Sequence, residues 1–219
     1  MQFLIEKATN RIYGYTSSNE GFENSEIIAV NEPDITEIDK LYYFYYDPIE
    51  KKVKKYPDEQ LPQIELNYFN KQVFDKKKTL YYTVNNHILR EYPKAKQESD
   101  AIDRETWSLW IIRNNSNETI DSIGKKVYNS AANILEGVSD YNTELSNYPN
   151  TLHTYGSDQL PESYAWGQLI KVAVRTGLAN ICKVIYKREI EKLDQIASLD
   201  FDALNSYVFP TLPEMPPLE

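Results

Sequence analysis

Side chains able to do chemistry are few in this sequence and lie far apart. His87 and His153 are the only histidines, and neither has a His, Cys or carboxylate at the spacing a metal site uses. Cys182 is the single cysteine, so there can be no internal disulfide and no Cys-rich zinc site. It falls on or near the apolar stripe of a long helical pattern, where a thiol serves as a small hydrophobe. The seven glycines are scattered, and none leads into the Lys-Ser or Lys-Thr pair of a phosphate-binding loop. Glu189, Glu191 and Asp194 alternate with Lys187, Arg188 and Lys192. That pattern reads as pairing on a helix surface, as between Lys187 and Glu191. Carboxylates are plentiful enough for an acid/base pair to assemble in space, but no spacing marks one. The expectation is a protein that is not an enzyme, with no catalytic residue, no metal and no cofactor.

Charge and composition narrow the partners. With 24 Lys and Arg against 33 Asp and Glu, the net charge of -9 repels nucleic acid unless a local basic patch overrides it. Lys51, Lys52, Lys54 and Lys55 are the one such cluster, and they alternate around Val53 as a solvated strand face would. No apolar run approaches the roughly 20 residues that span a bilayer, so no membrane is expected as a partner. The opening MQFLIEKATN lacks the marks of a secretory signal and predicts synthesis in a cytoplasm. The unusual feature is 18 Tyr beside only 7 Gly. Tyr combines strand propensity with flat contact area at low entropic cost, which suits surfaces that meet other surfaces.

The elements that must carry these residues divide into a β-rich part over 1–96 and a helical part over 97–209, followed by a proline-rich acidic tail over 210–219. In the first part, Phe3 to Tyr15, Leu41 to Pro57 and Leu80 to Pro93 each show an apolar or aromatic run, a polar turn and a second run ending in Tyr or Tyr-Pro. They predict three hairpins. Glu26 to Val30 and Gln63 to Phe69 predict two further strands of a mostly antiparallel sheet. Tyr42, Tyr43, Phe44, Tyr45 and Tyr46 stand in a row, and strand alternation would throw some rings to each face. Those rings could stack on sugars, but covering by the rest of the chain or by a partner is the commoner fate.

Ser163 to Ala197 holds the longest helical periodicity, with Trp166, Leu169, Ile170, Ala173, Val174, Gly177, Leu178, Ile181 and Ile185 at steps of three and four. Glu118 to Tyr148 predicts a second helix, pairing antiparallel with the first across a connecting loop at Pro149 to Glu162. Ala131 and Ala132 facing Ala173 and Gly177 would allow close approach. Ser99 to Arg113 predicts a third helix across this hairpin, and a short helical turn follows from Asp200. The fold class is therefore α+β: a Tyr-rich antiparallel β domain of hairpins, then a helical hairpin or bundle. Pro210, Pro213, Pro216 and Pro217 rule out helix in the tail, which is either disordered or docked on a groove.

At its two ends the chain resembles small tail-associated proteins of tailed bacteriophages. The likeness rests on the hairpin around Ala8 to Tyr15, and on a helix running into Tyr207-Val208-Phe209-Pro210 and a Pro/Glu tail, with Phe209 where Trp is usual. It implies a non-enzymatic virion structural protein, a tail, baseplate or fibre-attachment component docked to other virion or tail proteins. Homo-oligomerisation and residence in the virion are expected with it. The alternatives are a tail-fibre assembly chaperone not retained in the particle and a carbohydrate-binding module. The candidate interaction surface comprises Tyr42, Tyr43, Tyr45, Tyr46, Tyr81 and Tyr82, with Pro210, Pro213, Pro216 and Pro217 in the tail.

Overall fold

A computed structural model describes residues 1–16, 26–32, 34, 35, 38, 40–114, 117–148, 152–155 and 158–218, with only the backbone at 152–155 and 158–161. The fold is α+β, with antiparallel strands first and mainly helices after them. The chain forms two compact units, Met1–Lys76 with Ile196–Ser206 and Lys77–Gln195 with Tyr207–Glu219.

In the first unit, β1 (Gln2–Glu6) is the middle strand of an antiparallel sheet, between β2 (Arg11–Thr16) and β3 (Ile27–Asn31). Alternation buries Phe3 and Ile5 completely. The turn before β2 ends on Asn10, whose φ of 54° suits an Asn side chain. The register shifts between Leu4 and Ile5, which leaves Tyr13 without a partner and turned to solvent. A second hairpin joins β4 (Phe44–Asp47) to β5 (Lys52–Lys55). Its turn is set by Asp47, whose Oδ1 accepts from the backbone of Ile49 and Glu50 at 2.9 and 3.1 Å. Phe3, Ile5, Tyr46 and Val53 form one core, with Ile12, Ile28, Val30 and Phe44 packed against it. Glu32 bonds the Val53 amide at 2.8 Å. Two of the three expected hairpins are therefore present, together with the strand expected at Glu26 to Val30.

The strand expected at Gln63 to Phe69 and the hairpin expected at Leu80 to Pro93 are instead one helix, α1 (Leu61–Glu91). The reason lies in the punctuation. Pro62 sits in the first turn, where it is tolerated, Pro93 follows the end, and no Gly or Pro stands between to stop the helix. Leu80, Val84 and Ile88 recur at steps of four and are buried, while Asn85 and Asn86, expected as a turn, lie on the exposed face.

In the second unit, α5 (Glu162–Asp194) is the axis, as its periodicity predicts. α2 (Lys94–Asn114) runs antiparallel to it, with Asp100 beside Arg175 and Ile111 in one cluster with Trp166 and Leu169. The expected helix over 118–148 is two helices, α3 (Ile120–Leu135) and α4 (Tyr141–Ser146). Gly137 adopts φ 70°, and the Val138 amide turns back to the Asn133 carbonyl at 2.8 Å. This C-terminal cap ends α3 before the apolar stripe does, and Val138 is left exposed. Thr119 and Asp140 cap the starts of the two helices.

α3 runs parallel to α5, not antiparallel. Ile123 and Val127 cluster with Leu169, while Ile134 clusters with Val174 further along. α4 carries the chain back toward the start of α3, where Tyr148 meets Ser130 and Trp166. The stretch expected as a loop after it contains an antiparallel pair, β6 (Leu152–Tyr155) and β7 (Asp158–Pro161). The expected hairpin of α3 with α5 is therefore not formed; α2 packs antiparallel on α5 and α3 packs parallel to it. Close approach occurs at two glycines of α5, but against large side chains rather than against Ala131 and Ala132. A Cβ on Gly177 would come 2.5 Å from Leu135 Cδ1, and one on Gly167 2.7 Å from the Tyr141 hydroxyl.

The C-terminal part of α1 also runs antiparallel to α5, with Lys77 bonded to Asp194 and Tyr81 edge-on to Tyr186. α6 (Phe201–Ser206) supplies the short turn expected from Asp200, which caps it through the Ala203 amide at 2.9 Å. The proline tail is docked on its own unit. His87 Nε2 lies 2.7 Å from the Pro213 carbonyl, the Met215 amide donates to Glu91 at 2.9 Å, and Met215 and Leu218 pack on the cluster of Ile134 and Tyr141.

Candidate functional site

The aromatic run becomes strand only after Tyr43. Leu41–Tyr43 is a 3-10 turn, and Phe44 begins β4. The turn is held by Glu65, which pairs with Lys40 and accepts from the Tyr42 and Tyr43 hydroxyls at 3.2 and 3.0 Å. The hydrogen bond from Lys40, helped by the two phenols against the cost of burial, holds the Glu65 carboxyl below the usual carboxylate range. Burial, with the Glu65 charge beside it, pushes Tyr42 up to about 12. The ring of Tyr42 stacks on Tyr68 at 4.0 Å, Tyr45 lies 4.6 Å from Tyr56, and Tyr46 is buried. Tyr42, Tyr45 and Tyr46 thus each pack at least in part on residues of their own unit. Tyr81 and Tyr82 lie on α1, half-exposed and edge-on to each other. Pro210, Pro213 and Pro216 are partly covered and Pro217 is exposed. Tyr42, Tyr43, Tyr45 and Tyr46 thus belong to the first unit, and Tyr81, Tyr82 and the four prolines to the second.

The basic cluster is partly neutralised. Lys54 pairs with Asp47 at 2.8 Å and with Glu50, and Lys55 pairs with Asp58 at 3.2 Å. Lys51 and Lys52 are exposed beside them.

A polar cleft of about 490 Å³ opens where the starts of α3 and α5 meet the end of α4. Three carboxylates line it, and each is engaged. Glu118 accepts from Ser122 at 2.6 Å and from Lys126, Glu162 accepts from the Trp166 indole at 3.0 Å, and Glu144 accepts from Asn133 at 3.0 Å and from Ser139. Burial would raise the Glu144 pKa, but Ser139 and Asn133 more than offset it and hold the carboxyl below its usual range. Tyr148 stacks on Trp166 at 4.6 Å, and the Lys126 ammonium lies 5.4 Å from the indole centroid. Trp166 itself is 1% exposed. The arrangement braces three helix ends against one another. In the sequence its only trace is Glu162 one turn before Trp166; Glu118 and Glu144 carry no spacing signal at all.

The remaining feature is apolar. α2 and α3 both pack along α5 while barely touching each other, so a groove opens between them with α5 as its floor. Val172, Ala173 and Gly177 lie in that floor, and the cleft measures about 550 Å³. A second cleft of about 490 Å³ continues it along Ile181, Val184 and Ile185. The two share Tyr128, Ala173, Gly177 and Asn180. Tyr128 is 72% exposed and Ile120 58% exposed, with Val184 and Ile181 also open. Their exposure follows from the packing above. α2 covers one flank of α5 and α3 another, and the stripe of α5 is wider than either can close. Sequence reading placed Ala173, Gly177, Ile181 and Ile185 on the core face and so missed the groove.

Among the described residues, no group of His, Cys, Asp and Glu is placed to hold a metal ion, and no helix is long and apolar enough to cross a membrane. No family model matches the chain, and no curated protein or solved structure matches it either.

Proposed function

We propose that this chain is a non-enzymatic structural component of a larger protein assembly, of the tail-associated kind that its two ends resemble, and that it works by docking through its helical unit. The observation that supports this is the apolar groove of α2, α3 and α5, with Tyr128, Ile120, Val184 and Ile181 open beside it. Contiguous exposed apolar surface costs free energy in water unless something covers it, and interfaces are where proteins keep it. The engaged state of all three cleft carboxylates favours a structural role over an acid/base one. The proline tail packs on the chain's own helical unit, through Met215 and Leu218.

The test is a photo-cross-linking amino acid in place of Tyr128, introduced in cells that make the particles. The expected result is an adduct between this groove and an assembly component that sediments with finished particles. A chain absent from particles and without any adduct overturns the reading.

A further inference from the structure

We propose that the occupant of the groove is a second copy of this chain, seated face to face on the same α3 and α5 surface. This rests on the docking reading above and names its partner. The groove extends from Leu169 to Arg188 along α5, about 28 Å at 1.5 Å per residue. Its two clefts together present roughly twenty residues, close to the ~20–30 that one side of a standard interface uses.

The charges on its banks point to self-association. Arg104 stands on the α2 bank, its guanidinium 3.4 Å from the Thr176 hydroxyl. Glu136 stands on the α3 bank, directly after Leu135, which meets Gly177. A cation and an anion therefore face each other across the floor at nearly the same level of α5. Turning a second copy by half a turn about the groove axis brings its Glu136 over Arg104 and its Arg104 over Glu136. Two ion pairs then stand on either side of the floor near Gly177, and Tyr128, Ile181 and Val184 of both copies supply apolar contact beside them and further along α5. A two-fold interface must be complementary to itself, and the pairing of Arg104 with Glu136 over a shared apolar floor meets that condition, with Glu105 beside Arg104 and Arg188 at the far end as the other charges on the two clefts.

The experiment is light scattering on the full chain over a concentration series, with four variants. The parent is expected at twice 25.6 kDa. Val184→Asp, at a half-exposed position, should give a folded monomer with unchanged helical circular dichroism. Arg104→Glu and Glu136→Arg each set like charges against each other twice and should weaken the dimer by on the order of tenfold or more. The double variant Arg104→Glu with Glu136→Arg should restore it. A parent that is monomeric at every concentration overturns the inference. So does a dimer that Val184→Asp and the charge reversals leave intact, since it would form elsewhere. An adduct at Tyr128 with a different chain overturns the second copy while leaving the docking reading standing; no adduct and no dimer removes both.

Discussion

Asp100 and Arg175 form a two-pronged ion pair inside the helical unit, with Arg175 Nε 2.6 Å from one carboxylate oxygen and a terminal nitrogen 2.8 Å from the other. Asp100 has no exposed surface, and Lys96 adds a third contact at 2.9 Å. The pair fixes the register of α2 on α5. Asp100→Asn should cost about 3–5 kcal/mol, because it leaves the Arg175 charge buried without its partner. Urea unfolding at neutral pH, compared with the parent, measures this.

The same pair sets a pH dependence. Burial works to raise the Asp100 pKa, but Arg175 and Lys96 overcome it and hold the carboxyl below its ordinary value. A group whose pKa is lower folded than unfolded stabilises fully above the unfolded value of about 3.9 and loses that contribution as pH falls toward the folded value. The gap in stability between parent and Asp100→Asn should therefore be constant near neutrality and narrow below about pH 4. A gap that stays constant down to pH 2 would assign the ion pair no role.

Removing Thr211 to Glu219 should destabilise the helical unit by about 2–4 kcal/mol, since Met215 and Leu218 leave the cluster of Ile134 and Tyr141, and Glu91 loses the Met215 amide. Thermal unfolding followed at 222 nm reads this. A truncated chain as stable as the parent would show the tail to be an appendage.

Leu178 is 2% exposed on α5. Leu178→Asp buries an unpaired charge and should cost about 4 kcal/mol or more, enough to unfold the helical unit. Loss of dispersed amide resonances from that unit checks it.

Leu199 holds φ 65° while 41% exposed, a conformation that a side chain with a Cβ adopts at a cost. Leu199→Gly relieves the strain and loses little packing, so it should stabilise by about 0.5–1 kcal/mol after the extra entropy of glycine is counted. A lower melting temperature would mean that the leucine contributes more by contact than its backbone costs.

Local pattern made part of this fold legible. The hairpins at 2–16 and 44–55 follow from alternation broken by Asn10 and Asp47, and α5 follows from a stripe too long to be anything else. α1 was not legible because Tyr-rich helix and Tyr-rich strand share a composition, and only the spacing of Leu80, Val84 and Ile88 separates them. The apolar groove was hidden for a different reason. Ile181 and Ile185 continue the stripe of Leu178 without interruption, and a sequence does not say how many neighbours a helix will have.

By itself, the sequence determined the α+β class and the central place of α5, because these depend on periodicity. Tertiary structure decided that α3 runs parallel to α5, that Asp100 finds Arg175, and which part of the apolar stripe stays open. Those depend on contacts between residues distant in the chain, whose energies are settled only when several elements close around one another.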